Sequence, residues 1–206
     1  MRALVVGSTG SGKSTFARAL AARIGAAHIE LDALNWDPNW TNLSQTDPDK
    51  LRARVRQAIA PDAWTCDGNY SIVRPLVIAR ATHLVWLDYP RSVIMRRVLR
   101  RSFARAISGD ELWPGTGNRE AFRRWLDKEH PIRWAWDTHH HRRTALEGLL
   151  AEPSTDHVVK HRIRRPRDAD GGGYRGQALP IRRWTAHPCA RAGPLLPLPR
   201  IGAGRT

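Results

Sequence analysis

Short apolar runs recur along the chain, each closed by a glycine or an aspartate. Between them, apolar residues fall about every four positions. Ala3-Leu4-Val5-Val6 ends at Gly7 and predicts a buried strand. Phe16, Leu20 and Ile24 then form one stripe with Arg18 and Arg23 off it, the pattern of an amphipathic helix that Gly25 stops. A second strand is expected over 26–31, ending at Asp32, and a polar loop with Trp36 and Trp40 follows. Asp47-Pro48 supplies a helix cap and a proline for the first turn, ahead of a stripe at Leu51, Val55 and Ile59. Trp64-Thr65-Cys66 runs into Asp67 as a third strand, and residues 83–87 run into Asp88 as a fourth. Tyr89-Pro90 opens a long helix to about Ile107, with Val93, Ile94, Val98 and Leu99 on its apolar side. Residues 157–160 read as a fifth strand.

Strands alternating with helices predict an α/β fold, a three-layer α/β/α sandwich on a parallel five-stranded sheet. Ligands of such sheets bind beyond the carboxyl ends of the strands, where Gly7, Asp32, Asp67 and Asp88 are expected. Asp88 also suits a cap for the helix that follows.

The loop after the first strand reads Gly7-Ser8-Thr9-Gly10-Ser11-Gly12-Lys13-Ser14, with Thr15 next. It fits G-x-x-x-x-G-K-[ST] at every fixed position, and it has the strand–loop–helix context the motif needs. Glycines let successive backbone N–H groups face an anion, and the helix N-terminus adds its dipole. Lys13 can reach the outer phosphates, and the Ser14 hydroxyl can ligate Mg²⁺. ATP and Mg²⁺ are therefore the expected cofactors.

Composition changes this picture little. The net charge is +15, but residues 1–150 carry 23 Lys/Arg against 15 Asp/Glu, and residues 151–206 carry 11 against 4. Nearly half of the excess sits in the last quarter, so the charge does not itself argue for a nucleic-acid partner. Cys66 and Cys189 offer neither a disulfide framework nor zinc spacing. No apolar stretch is long enough for a bilayer, and Met1-Arg2 leads straight into a strand, so a cytoplasmic protein is expected. His139-His140-His141 beside Arg142-Arg143 reads as a solvated basic segment rather than a metal tract. Trp125, Trp134 and Trp136 read as packing residues. The domain is expected over 1–168, with a lid region at about 105–143. Residues 169–206, rich in Gly, Pro and Arg, are expected to be a disordered tail.

The loop at 7–14, Asp67-Gly68, and Asp88-Tyr89-Pro90 followed by Arg97 and Arg100-Arg101 resemble the adenylate-kinase-like branch of P-loop kinases. Leu31-Asp32-Ala33-Leu34-Asn35-Trp36, Pro38-Asn39-Trp40, Asp67-Gly68-Asn69-Tyr70 and Gly117-Asn118-Arg119-Glu120 are similar to adenylate-kinase-related proteins labelled DNA topology modulation proteins. The resemblance covers roughly residues 1–165. It implies an adenylate/shikimate-kinase-like fold with an Arg-rich helical lid and an ATP-dependent kinase activity. By the same resemblance, Asp67 serves Mg²⁺ through water and Arg100 is the lid-hinge arginine. Arg119, Arg123 and Arg124 are then lid residues for the transferring phosphoryl group, and Arg74 is a substrate arginine.

Sugar and shikimate kinases of this fold place an acid after the second strand against an acceptor hydroxyl, a role Asp32 would take. Adenylate kinases have Phe-Pro-Arg after Asp-Gly, whereas this chain has Asn69-Tyr70-Ser71. The acceptor is thus left open between a nucleotide and a small hydroxyl compound. The alternative is a nucleotide-dependent DNA-associated ATPase or binding protein. A monomer or homodimer with no membrane partner is expected.

Overall fold

The computed structural model describes residues 1–119 and 131–169. The expectations for Arg123, Arg124, Trp125, Cys189 and nearly all of the tail lie outside these residues. In chain order the elements are β1 (Arg2–Gly7), α1 (Lys13–Ile24), β2 (Ala27–Glu30), α2 (Leu31–Asn35), β3 (Trp36–Asp37), β4 (Thr41–Asn42), α3 (Leu43–Thr46) and α4 (Pro48–Ala58). Then come β5 (Trp64–Asp67), α5 (Arg74–Arg80), β6 (His83–Leu87), α6 (Arg91–Ser108), α7 (Pro131–Ala151), β7 (Val159–Ile163) and α8 (Pro166–Ala169).

Five strands form one parallel sheet in the order β2-β5-β1-β6-β7. Strand β1 sits at its centre, which is why its residues 3–6 are all apolar. Leu4 and Val6 face one core with Trp64, Trp86, Leu51, Val55 and Val77. Ala3 and Val5 face the other with Phe16, Leu20, Ile94 and Val98. Alternation across the pleat thus buries both faces under helices.

The expected stripes at Phe16/Leu20 and Leu51/Val55/Ile59 are buried. The Asp47 side chain accepts from the Lys50 amide at 3.0 Å, so the α4 cap is as read. Other expectations need correction. Leu99 is 45 % exposed, whereas Ile94 and Val98 of that stripe are buried and Val93 packs against their core. The fifth strand begins at Val159, two residues later than read, and His157 instead bonds the Ile78 carbonyl. Its Lys160-His161-Arg162 are polar because β7 is an edge strand. Residues 36–42, read as a loop, form the hairpin β3–β4. Asp37 ties it to α4 through Lys50 and Arg54, each at 2.8 Å.

Helix α7 joins the two faces: Ala135 packs in one core, Leu146 and Leu149 in the other. Residues 131–143, read as part of a lid, are its first turns, with Ala135 and His139 buried. Trp134 and Trp136 are not core residues. Both are exposed, and Arg142 and Arg91 lie over their rings. Among the described residues no helix is long and apolar enough to cross a membrane.

Candidate active site at the carboxyl ends of the strands

Strand order builds the site. Because β5 lies beside β1, with Val5 opposite Asp67, the chain leaving β1 passes directly over the Asp67 carboxylate. Ser14, in the first turn of α1, donates to Asp67 Oδ2 at 2.6 Å. The other oxygen, Oδ1, meets His28 Nε2 at 2.7 Å from β2, the neighbouring strand on the far side. Asp67 is 1 % exposed, so both contacts are close to dry. A hydroxyl against a buried carboxylate is an oxygen donor set of the kind a hard divalent cation takes. His28 escaped the sequence reading, since in the string it is one polar position inside a strand.

The backbone of residues 7–14 explains its glycines. Gly10 has φ 82° and Gly12 φ 84°, the left-handed region that side chains avoid. A Cβ on Gly10 would lie 2.2 Å from Val98 Cγ2. The loop is therefore seated on α6, and Arg97 fastens it by donating to the Ser11 carbonyl at 2.7 Å. Asn69 donates to the Gly7 carbonyl at 2.6 Å. Asn69 Oδ1 and Ser11 Oγ are buried with no hydrogen-bond partner. The first amides of α1 have no acceptor within the helix, and their residues, Lys13, Ser14 and Thr15, line the same cavity.

That cavity, about 1000 Å³, holds Gly10, Ser11, Gly12, Lys13, Ser14 and Thr15 along one side. Thr9 lies there too, whereas Gly7 and Ser8 lie beneath the loop and outside the lining. Arg97, Arg101 and Arg105 reach it from α6, four residues apart and so on one helix face. Arg100 does not: it is exposed and outside the lining, and its expected place at the site belongs to its neighbours. Arg119 lines the cavity and donates to the Gly109 carbonyl.

The far end holds the carboxylates. The strand β2 ends at Glu30, not Asp32, which sits in the first turn of α2. Burial, with the nearby Asp67 and Asp32 charges, holds the Glu30 carboxyl above its usual range, against a lowering influence of Trp113. Asp32 Oδ1 accepts from the Tyr70 hydroxyl at 2.7 Å. Burial and then Asp32 push the Tyr70 phenol well up, so it stays a donor. Trp36, Trp40 and Trp113 pack together above them, with centroids 5.8 to 6.1 Å apart. Asn118 locks this roof, accepting from the Trp40 amide at 2.9 Å and donating to the Asp37 carbonyl at 3.2 Å.

Asp88, also expected at the crevice, belongs elsewhere. It is buried against Arg162 at 2.7 Å and Arg143 at 3.1 Å. It does not cap α6, whose first turn has no side-chain cap. Among the histidines, His139 is buried on the Tyr89 carbonyl while His140 and His141 are exposed. No group of three or more His, Cys, Asp or Glu able to hold a metal occurs among the described residues. Burial keeps the Cys66 thiol protonated, beneath the site and out of its chemistry.

No family model matches the chain, and no curated protein does. Among solved structures it is similar to an unliganded sugar kinase from Janibacter sp., at 18 % identity. The match covers 79 % of this chain and 83 % of that one, with a TM-score of 0.39. A likeness of that size carries no argument about substrate.

Proposed function

We propose that the protein is an ATP- and Mg²⁺-dependent phosphotransferase acting on a small acceptor, as its adenylate-kinase-like motifs suggest. The observation that carries this reading is the Ser14–Asp67 contact of 2.6 Å beneath a loop whose glycines adopt left-handed backbone. The site fits the nucleotide on its own chemistry. Left-handed Gly10 and Gly12 shape a cradle lined by Lys13, Ser14 and Thr15 at the N-terminus of α1, whose amides lack helical acceptors. Ser14 and Asp67 would hold the cation, the loop amides and Lys13 the phosphates. When bound, ATP·Mg²⁺ supplies a γ-phosphoryl group for the acceptor oxygen, releasing ADP and a proton.

The chain's own groups then have separate tasks. Lys13 and the amides stabilise charge on the phosphate oxygens. Arg97, Arg101 and Arg105 add positive charge from α6, and Arg119 adds it from the loop after α6. Asp32, steadied by Tyr70, orients an acceptor hydroxyl at the far end. The roof of three tryptophans excludes water from the acceptor end.

A DNA-associated role would need a basic stripe on the surface. On α6 the outward arginines are Arg96 and Arg100, interleaved with exposed Leu99 and Phe103, which favours the phosphotransferase. The test is ATP turnover by the full chain, with Lys13→Ala as control, across nucleoside monophosphates and small hydroxyl compounds. An acceptor raising turnover by about tenfold or more, lost in the control, is the expected result. Turnover indifferent to every acceptor, with DNA binding that weakens steeply with salt, would replace this reading with the DNA-associated one.

A further inference from the structure

Arg142 is an unusual arginine. It lies on α7, near the point where that helix passes from one core to the other, and it lines the cavity at the end occupied by Asp32 and Tyr70. It is partly buried, and none of the described residues gives it a hydrogen bond or an ion pair. Its one contact of note is the Trp134 ring, 5.3 Å from the guanidinium carbon. Arg74, at the start of α5, is also partly buried and has no such partner among the described residues. Arg74 and Asp32 both lie near enough to act on Arg142, the first disfavouring its charge and the second favouring it. Burial is the larger influence, and together with Arg74 it lowers the affinity of Arg142 for its proton.

The carboxylate count does not balance these charges. Asp32 already accepts from Tyr70. Glu30 pairs with Arg18 at 3.8 Å. Several other arginines are matched: Arg143 and Arg162 share Asp88 and Glu147, Arg54 holds Asp37, and Arg97 holds a carbonyl. Desolvating a guanidinium without a partner is costly, and its planar fork suits a carboxylate or phosphate. At this end of the cavity the missing partner is an anion on the ligand.

We propose that Arg142, backed by Arg74, receives an oxyanion of the acceptor, which makes the acceptor a hydroxyl compound that also carries a carboxylate or phosphate group. This rests on the phosphotransferase reading and narrows it. The acceptor's hydroxyl meets Asp32, its anion meets Arg142, and the spacing of the two groups selects the substrate. A neutral polyol would leave Arg142 unpaired and bind poorly.

The experiment uses the full chain with a non-hydrolysable ATP analogue and Mg²⁺ at saturation, so that the loop at 7–14 is filled. Calorimetric titrations compare matched pairs: gluconate with glucitol, ribose 5-phosphate with ribose, and AMP with adenosine. The expected result is that an anionic member binds about tenfold or more tighter than its neutral partner. Arg142→Gln erases that preference, Arg74→Gln weakens it, and Arg142→Lys keeps part of it. The ATP analogue binds all variants within about twofold of the unchanged protein, which also reports that they are folded. The pair that discriminates tells carboxylate from phosphate and sugar from nucleotide. Equal binding across every pair, or a preference that survives Arg142→Gln, overturns the proposal. If the analogue fails to bind, the same titrations run without it, and a preference erased by Arg142→Gln would sustain the subsite while sinking the phosphotransferase reading.

Discussion

The hydroxyl of Ser14 lies 2.6 Å from Asp67, although 53 residues separate them in the chain. The neighbour relation of β1 and β5 produces this contact. Asp67→Asn keeps the shape and removes the charge. Turnover should fall by about a hundredfold or more, and Mg²⁺-dependent tightening of ATP binding should disappear in calorimetry. A variant that still shows that tightening would remove Asp67 from the cation site.

Arg97 and Arg100 separate two registers of α6. Arg97 holds the Ser11 carbonyl at 2.7 Å, while Arg100 is exposed. Arg97→Gln should lower turnover by about tenfold to a hundredfold, and Arg100→Gln by less than about twofold, in the same ATP assay. Equal losses would mean that the helix presents a different face in the working enzyme.

Gly10 sits where a methyl group has no room. Its φ is 82°, and a Cβ would lie 2.2 Å from Val98 Cγ2. Gly10→Ala should lower stability by about 1–3 kcal/mol, seen in urea unfolding, and should weaken ATP binding as the loop shifts. Val98→Ala in the same chain should recover part of the nucleotide binding by clearing the clash.

His83 and His161 stack across β6 and β7, with ring centroids 5.7 Å apart. Burial, then the neighbouring His83, takes the His161 pKa down from 6.5 to about 4. Burial also lowers that of His83, with the chain's amino terminus adding to it. Rings kept neutral in the fold gain protons on unfolding. Their stability contribution is full above about pH 6.5 and is lost as pH falls towards 4. Urea midpoints should drop across that window, and His161→Phe should flatten the drop. A profile unchanged by the substitution would place the acid sensitivity elsewhere.

Much of this architecture was legible in one dimension. Gly7 to Ser14 declares a phosphate-binding loop because its chemistry depends on neighbours in sequence: backbone amides, a glycine at each tight φ, and a lysine and a hydroxyl on the next turn. The central strand and the stripes of α1 and α4 were equally plain, since burial on a sheet or helix face imposes its period directly. Edge elements were not. Strand β7 is half polar, and β3–β4 are two residues each, so neither imposes a pattern long enough to read.

The acceptor end was the least legible part. Asp32 stood out in the string as the carboxylate closing a strand, but the strand stops at Glu30 and Asp32 faces the cavity from a helix. His28 and Arg142 carry no local signal of a site, and they come from β2 and α7. Arg97 and Arg100 differ only in which face of α6 meets the loop, which the packing of Ile94 and Val98 decides.

The sequence by itself determined the alternating strands and helices, the burial of β1, and the loop that offers amides, Lys13 and Ser14 to an anion. All of these depend on residues near one another in the chain. Tertiary structure alone decided that Asp67 lies under Ser14, that Arg97 rather than Arg100 reaches the loop, and that Arg142 shares a cavity with Asp32. Those pairings follow from strand order and helix rotation. Both are set by burying two apolar faces at once, a condition on the whole chain that no single segment expresses.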